Sequence, residues 1–222
     1  MSKPLCLVTA PVATRSGYGA HSRDICRALI KLDKYDVKIW NVRWGNTPMN
    51  ALNKDDPNDK MLVDRLLQSP ELPKQPELHI HIVIPNEFNP MGKYNIGVTA
   101  GLEMTACPPK WIEGMNKMNM NIVPSTFVKN TMNGIVFDIT DEQTKQKKGE
   151  LKNEKPIEVL FEGTDTNIFK KTNEFSKLLV DEMKNVEETF NFLYTGHWLQ
   201  GDLGKDRKDT GMLVKVFLET FK

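Results

Sequence analysis

Short apolar runs that alternate with amphipathic stretches limit the folds open to this chain more than any other feature. The run Leu5–Ala10 is followed by a helical pattern with apolar residues at positions 25, 28, 29 and 32, and a second apolar run covers 37–42. A strand, a helix and a second strand in this order predict a right-handed βαβ unit. Continuous apolar runs are typical of strands that are buried on both faces, so we expect an α/β fold with a mostly parallel sheet.

The same rhythm continues along the chain. Further strands are predicted at "LHIHIVI", "NIGVTAG", "MNIVPS" and "IEVLFEG", and helices are predicted at 61–67, from "PPKWIEGMN" and from Thr126, which Ser125 can cap. Residues 141–155 are charged and rich in lysine, which is typical of a solvated loop. The sequence therefore predicts helices packed on both faces of one sheet.

The pattern changes after about residue 171. An amphipathic helix covers 175–186, and "FNFLYTG" then restarts the strand–helix rhythm. We expect a first domain over 1–171, a linker helix over 172–188, and the first βα unit of a second domain over 189–222.

Composition excludes some classes of function. Lys and Arg number 30 against 29 Asp and Glu, which argues against a broad basic face and therefore against a nucleic-acid partner. No apolar run is long enough to cross a bilayer, and the first residues lack the apolar core of a signal peptide. The 3 cysteines are too few and too far apart for a disulfide framework, so we expect reduced thiols in a cytoplasmic protein.

The segment Ser16-Gly17-Tyr18-Gly19 lies between the first strand and the first helix. Ligands of open α/β sheets collect beyond the carboxyl ends of the strands, and a helix start offers free N–H groups to an anion. A dinucleotide-binding fingerprint is disfavoured, because Ser22 replaces the third glycine and no acidic residue ends the second strand. On the residues alone, this segment is either a ligand-binding loop or a flexible surface loop with an ordinary helix start.

Three other places carry candidate chemistry. His79 and His81 share one side of a strand, but no third ligand is near, so no metal site is expected. Glu103 follows a strand and is either a site carboxylate or a solvated or helix-capping residue. Arg207 and Lys208 precede a helix and suit phosphate oxygens, although a solvated basic turn is the alternative.

These segments together resemble the nucleotide-sugar glycosyltransferases with two Rossmann-like domains, the GT-B fold, and most closely the retaining family-4 type. The resemblance covers the glycine-containing segment 16–19, the stretch "GLEMTACPPKWIEGMNKMNMNIVPSTFVKN", the turn "VLFEGTDTNIF" and the tail "FNFLYTGHWLQGDLGKDRKDTGMLVKVF". Their order and spacing carry the resemblance, which spans nearly the whole chain.

The resemblance implies an enzyme that transfers a sugar from a nucleotide-sugar donor to an acceptor hydroxyl on a glycan, a lipid or another molecule. It implies an acceptor-side Rossmann-like domain at the N-terminus and the start of a donor domain that is largely missing, so that this chain alone would be inactive. Arg207 and Lys208 would bind the donor diphosphate, Gly17 and Gly19 would line the cleft, and Glu103 would act on the catalytic side. No cofactor is implied, and the missing donor domain would be supplied by a separate chain if it is not encoded downstream.

The sequence departs from the family at three positions. Asp209 stands where many relatives have glycine, Glu162 where many have asparagine, and Glu103 follows a strand after which many place a histidine. A non-enzymatic sugar- or partner-binding module of the same fold therefore stays open as the alternative. An NAD-dependent oxidoreductase is disfavoured by the missing glycine and the missing acidic residue.

Overall fold

A computed structural model describes residues 3–69, 71–196, 198, 201–205 and 208–221. The chain divides into two compact units, residues 1–165 and residues 166–222. The domain boundaries predicted at 171 and 188 stay predictions.

The first unit is built on a parallel sheet. Within the described residues the strands are β1 Leu5–Ala10, β2 Asp36–Asn41, β3 Leu78–Ile82, β4 Tyr94–Val98, β5 Met120–Val123, β6 Val136–Thr140, β7 Lys147–Lys152 and β8 Ile157–Val159. The main sheet has 6 strands in the order β2-β1-β3-β4-β5-β8, and every pairing in it is parallel. The predicted α/β, Rossmann-like fold is thereby confirmed.

The described helices follow the predicted alternation. They are α1 Gly17–Leu32, α2 Pro57–Val63, α3 Pro109–Asn116, α4 Thr126–Gly134, α5 Lys177–Met183 and α6 Thr210–Thr220. The Ser125 hydroxyl accepts a hydrogen bond from Val128 N at 3.2 Å, so the cap predicted for α4 is confirmed. No described helix combines the length and the apolar character needed to cross a bilayer.

Helices cover the sheet on both faces. One core cluster joins alternate strand residues such as Val8, Ile39 and Ile80 to Cys26 of α1 and Leu62 of α2. A second cluster joins residues of β5 and β8 to α3 and α4; it includes Val123, Ile157, Ile112, Met115, Val128 and Met132. The two faces are separate because successive strand residues point to opposite sides of a sheet.

The second face also carries buried polar side chains. His79 and Thr9 share a hydrogen bond of 2.9 Å between Nε2 and Oγ1, and His81 Nδ1 accepts from Asn89 N at 3.2 Å. Burial lowers the pKa of both His79 and His81 to about 4, so both imidazoles are neutral at pH 7. Among the described residues, no three His, Cys, Asp or Glu side chains cluster as metal ligands would.

The lysine-rich stretch contributes the second strand of a hairpin, so the prediction of a solvated loop over 141–155 is wrong for β7, Lys147–Lys152. β6 and β7 pair antiparallel, and Phe137 and Leu151 pack from this hairpin onto the second core. Its lysines face carboxylates of the same hairpin: Lys147 lies 2.7 Å from Asp138, and Lys148 pairs with Asp141. The prediction rested on the charged residues and did not take account of Phe137 and Leu151, the apolar residues that anchor the two strands.

Residues 166–222 form the second unit, in which one predicted element is absent. The segment 190–196 was predicted as a strand, but no regular secondary structure forms there among the described residues. A strand needs a hydrogen-bonded neighbour, and this unit supplies none in its described part. Instead Phe192 packs on Phe217 and Phe221 of α6, with ring centroids 5.6 and 5.3 Å away.

Candidate functional site

The strand order places a crevice at one end of the sheet. All strands of the sheet are parallel, so their carboxyl ends lie along one edge, which we call the carboxyl edge. From β1 the chain crosses to β2 on one side, whereas β3 adds on the other side of β1. Connections that leave in opposite directions open a crevice between neighbouring strands, where open α/β sheets bind their ligands.

The glycine-containing segment lies at this crevice and is well ordered. Ser16 is the N-cap of α1, and its hydroxyl accepts a hydrogen bond of 2.9 Å from Gly19 N. The Ser16 hydroxyl also meets Thr14 Oγ1 at 2.8 Å, which in turn donates to Pro11 O at 2.8 Å. Gly17, Tyr18 and Gly19 therefore form the first turn of α1 after an ordinary N-cap, and ligand binding by this segment stays a prediction.

Gly17 and Gly19 differ in the space that is available for a side chain. A Cβ on Gly19 would clash with the backbone oxygen of Thr14 and lie 3.0 Å from that of Pro11. A Cβ on Gly17 would meet nothing within 4 Å. Packing therefore requires glycine at 19, whereas the space above Gly17 is open to a ligand.

We expect Gly19→Ala to lower the free energy of unfolding by about 3 kcal/mol, since a backbone clash cannot be relieved by a side-chain rotation. Gly17→Ala is the matched control and should stay within about 0.5 kcal/mol of the wild type. Urea unfolding of both variants checks this. Equal stability of the two variants would contradict the close packing described at Gly19.

Tyr18 connects three loops of the carboxyl edge. Its hydroxyl lies 2.9 Å from Thr99 Oγ1 and accepts a hydrogen bond of 3.1 Å from Ala100 N, directly after β4. Its ring stacks on Trp44, beyond β2, with centroids 4.0 Å apart and an angle of 27°. Sequence reasoning missed Trp44 and Thr99; the apolar Trp44 within a polar loop was the signal that could have pointed to it.

Acidic residues follow β3, β4 and β8 at the same end of the sheet. Burial, together with the charges of Glu162 and Glu87, raises the pKa of Tyr18 above its ordinary value. Glu162 follows β8 and lies 3.9 Å from His21 Nδ1 in α1. Glu103 is exposed on the loop after β4. The structure thus brings Glu103 to the same edge as the glycine turn, and its catalytic role stays a prediction.

The end of β2 bears on the dinucleotide alternative. Asn41, the last residue of β2, accepts a hydrogen bond of 3.0 Å from Ala13 N through its side-chain oxygen. Dinucleotide-binding folds hold the ribose hydroxyls with a carboxylate in this region. Here the corresponding side chain is an amide that already binds backbone.

The predicted diphosphate-binding pair belongs to the second unit. Arg207 lies outside the described residues. Lys208 is exposed and precedes Asp209, the N-cap of α6. The structure therefore places Lys208 at a helix start, as the sequence predicted, and its role stays a prediction.

Comparison with known proteins adds no relative: no protein-family model, curated protein or solved structure matches this chain.

Proposed function

We propose that residues 1–165 are the acceptor-side domain of a retaining, nucleotide-sugar-dependent glycosyltransferase of the GT-B type. One observation supports this most: the Tyr18 hydroxyl joins the glycine turn after β1 to the loop after β4. These are two of the segments that carry the resemblance to such enzymes. Their meeting at the crevice of a parallel sheet is what a shared ligand site requires.

In the proposed reaction, a bond forms between the acceptor oxygen and the anomeric carbon of the donor sugar. The bond from that carbon to the diphosphate breaks, its electron pair stays on the diphosphate, and the proton of the acceptor hydroxyl passes to the leaving diphosphate. Negative charge on the leaving diphosphate is stabilised by fixed cations, the role we propose for Arg207 and Lys208. Within the first unit, the open space above Gly17 would admit part of a ligand, and the role we propose for Glu103 is on the acceptor side.

The described cysteines support a reducing compartment. Cys6, Cys26 and Cys107 are all buried free thiols. Burial raises the pKa of Cys6 and Cys26 to about 12, which keeps them unreactive. We therefore place the proposed enzyme in the cytoplasm.

The test is a screen of UDP-, GDP- and ADP-sugars for binding by ligand-observed NMR; no donor consumption is expected from this chain alone. We expect one nucleotide class to bind, and Lys208→Ala to weaken it about tenfold, as loss of a charged hydrogen bond does. Lys205→Ala, a nearby exposed lysine, is the control and should change nothing.

Failure of every nucleotide sugar to bind would contradict the proposal. Binding of a glycan without any nucleotide affinity would favour the alternative of a sugar-binding module. The stacked Tyr18 and Trp44 rings support that alternative specifically, since sugars pack on aromatic surfaces.

A further inference from the structure

Charge is divided along the carboxyl edge. Arg15 follows β1 and Arg43 follows β2, and segments 11–23 and 37–54 contain no carboxylate side chain. Glu87, Glu103 and Glu162 follow β3, β4 and β8 instead. One half of the edge is therefore cationic and the other half is acidic.

A cavity of about 330 Å³ lies in the cationic half, just beyond β2. It is lined by Arg43, Gly45, Asn46, Thr47 and Met49. The turn that forms it is closed by a hydrogen bond of 3.0 Å from Thr47 N to Trp44 O. The lining therefore includes the two residues that flank Trp44 in the chain, Arg43 and Gly45.

Arg15 is held against the same turn. Its backbone N donates to Pro48 O at 3.0 Å, and its guanidinium donates to the Asn50 side-chain oxygen at 2.9 Å and to Asn50 O at 3.2 Å. Across the described residues, no carboxylate lies within ion-pair distance of Arg15 or Arg43 (the salt bridges of this unit involve other cations). Arg43 lines the cavity, and Arg15 is held at the neighbouring Asn50 through its Nε and one Nη. Two positive charges without a protein counterion favour an anionic group here, since guanidinium N–H groups bind phosphate.

We propose that this cavity binds a phosphate group on the acceptor, so that the acceptor is a phosphorylated sugar rather than a neutral one. This inference rests on the proposed glycosyltransferase function. The phosphate lies at Arg43 and Arg15, the sugar ring lies along Trp44, and its free hydroxyls extend toward the acidic half of the edge. The charge division orients the acceptor, because the acidic half repels its phosphate.

The test is an NMR titration of the isotope-labelled chain with glucose 6-phosphate, glucose, glucuronate and UDP at constant ionic strength. We expect glucose 6-phosphate to shift the amide signals of Gly45 and Thr47 saturably, and glucose to leave them unchanged. Arg43→Gln and Arg15→Gln should each weaken that binding about tenfold, as loss of a charged hydrogen bond does. Lys93→Gln is the matched control: this lysine lies 3.7 Å from Glu77, before β4, and its loss should not change binding.

Each other outcome overturns the inference. Amide shifts of equal size with glucose, or unchanged glucose 6-phosphate binding in Arg43→Gln, would show that the cavity does not select for a charged ligand. Preference for glucuronate would assign a carboxylate acceptor, and tighter arginine-dependent binding of UDP would place the donor there. Absence of any binding would also end it.

The outcome is separable from that of the donor screen. Binding of a nucleotide sugar, together with binding of a neutral sugar that Arg43→Gln leaves unaffected, would contradict this inference and keep the proposed function. Arginine-dependent phosphate binding without affinity for any nucleotide sugar would do the reverse.

Discussion

Gly114→Ala should destabilise the first unit more than any other single methyl addition that we consider. α3 packs its Gly114 directly on the 3-10 turn Pro85–Glu87. A Cβ at this position would clash with the Pro85 carbonyl oxygen and lie 2.6 Å from the Pro85 carbonyl carbon. Both partners are backbone, so the helix and the turn must separate. We expect a loss of about 3 kcal/mol or more, which the roughly 1 kcal/mol gain in helix propensity does not offset.

Urea unfolding followed by circular dichroism measures this loss. Gly134→Ala is the matched control. Gly134 is the last residue of α4, another helix of the second face, and an added Cβ there would meet nothing within 4 Å. The control should be neutral or stabilised by up to about 1 kcal/mol. A Gly114→Ala protein as stable as the control would show that α3 does not pack on the Pro85 turn as described.

Acid should destabilise the first unit well before its carboxylates protonate. His79 and His81 have pKa values near 4 in the fold because of burial, against 6.5 when unfolded. Between these values the unfolded chain binds protons that the folded chain does not. Stability is therefore full above about pH 7, falls as the pH drops through 6.5, and levels off below 4. One such histidine contributes about 3 kcal/mol over that range, at 1.36 kcal/mol for each unit of pKa.

Urea midpoints measured between pH 7 and pH 4 test this expectation. His79→Gln should flatten the slope, since glutamine does not titrate. Thr9→Val serves as the control: it removes the 2.9 Å hydrogen bond to His79, lowers stability at every pH, and should leave the slope as it was. The carboxylates with lowered pKa values, such as Asp141 at about 2, act only at lower pH. A stability that does not change between pH 7 and pH 4.5 would contradict the burial of both imidazoles.

The parallel sheet could be predicted from the sequence because its strands coincide with short, mostly apolar segments. "LCLVTAP" and "LHIHIVI" are continuous apolar or packed segments, and each lies in the sheet as β1 or β3. Ser125 shows the same locality, since a helix cap depends on residues only three positions apart. The carboxyl edge followed from the parallel order, and so did the positions of Gly17, Gly19 and Glu103 along it.

The contacts that assemble the site could not be read in this way. Tyr18 and Thr99 are 81 positions apart, and no local pattern pairs them. The β6–β7 hairpin was hidden because lysine and glutamate dominate its outward positions, whereas Phe137 and Leu151 anchor it. The strand predicted at 190–196 was wrong for the opposite reason. Its apolar residues have the local pattern of a strand, but a strand also needs a neighbour to pair with, which the local pattern does not reveal.

The short strand β8 is expected to pair later in folding than the central strands, so the two sides of the crevice form at different times. β8 covers only Ile157–Val159 at the rim of the sheet, and it pairs with β5 across the whole β6–β7 hairpin. Closing a longer loop costs more chain entropy, so this pairing comes late as the chain folds. We expect this short strand to open more readily than β1, β3 and β4. Glu162 directly follows β8. We therefore expect it to lie in the part of the crevice that forms late in folding, whereas the part formed by the central strands is complete as soon as those strands have paired.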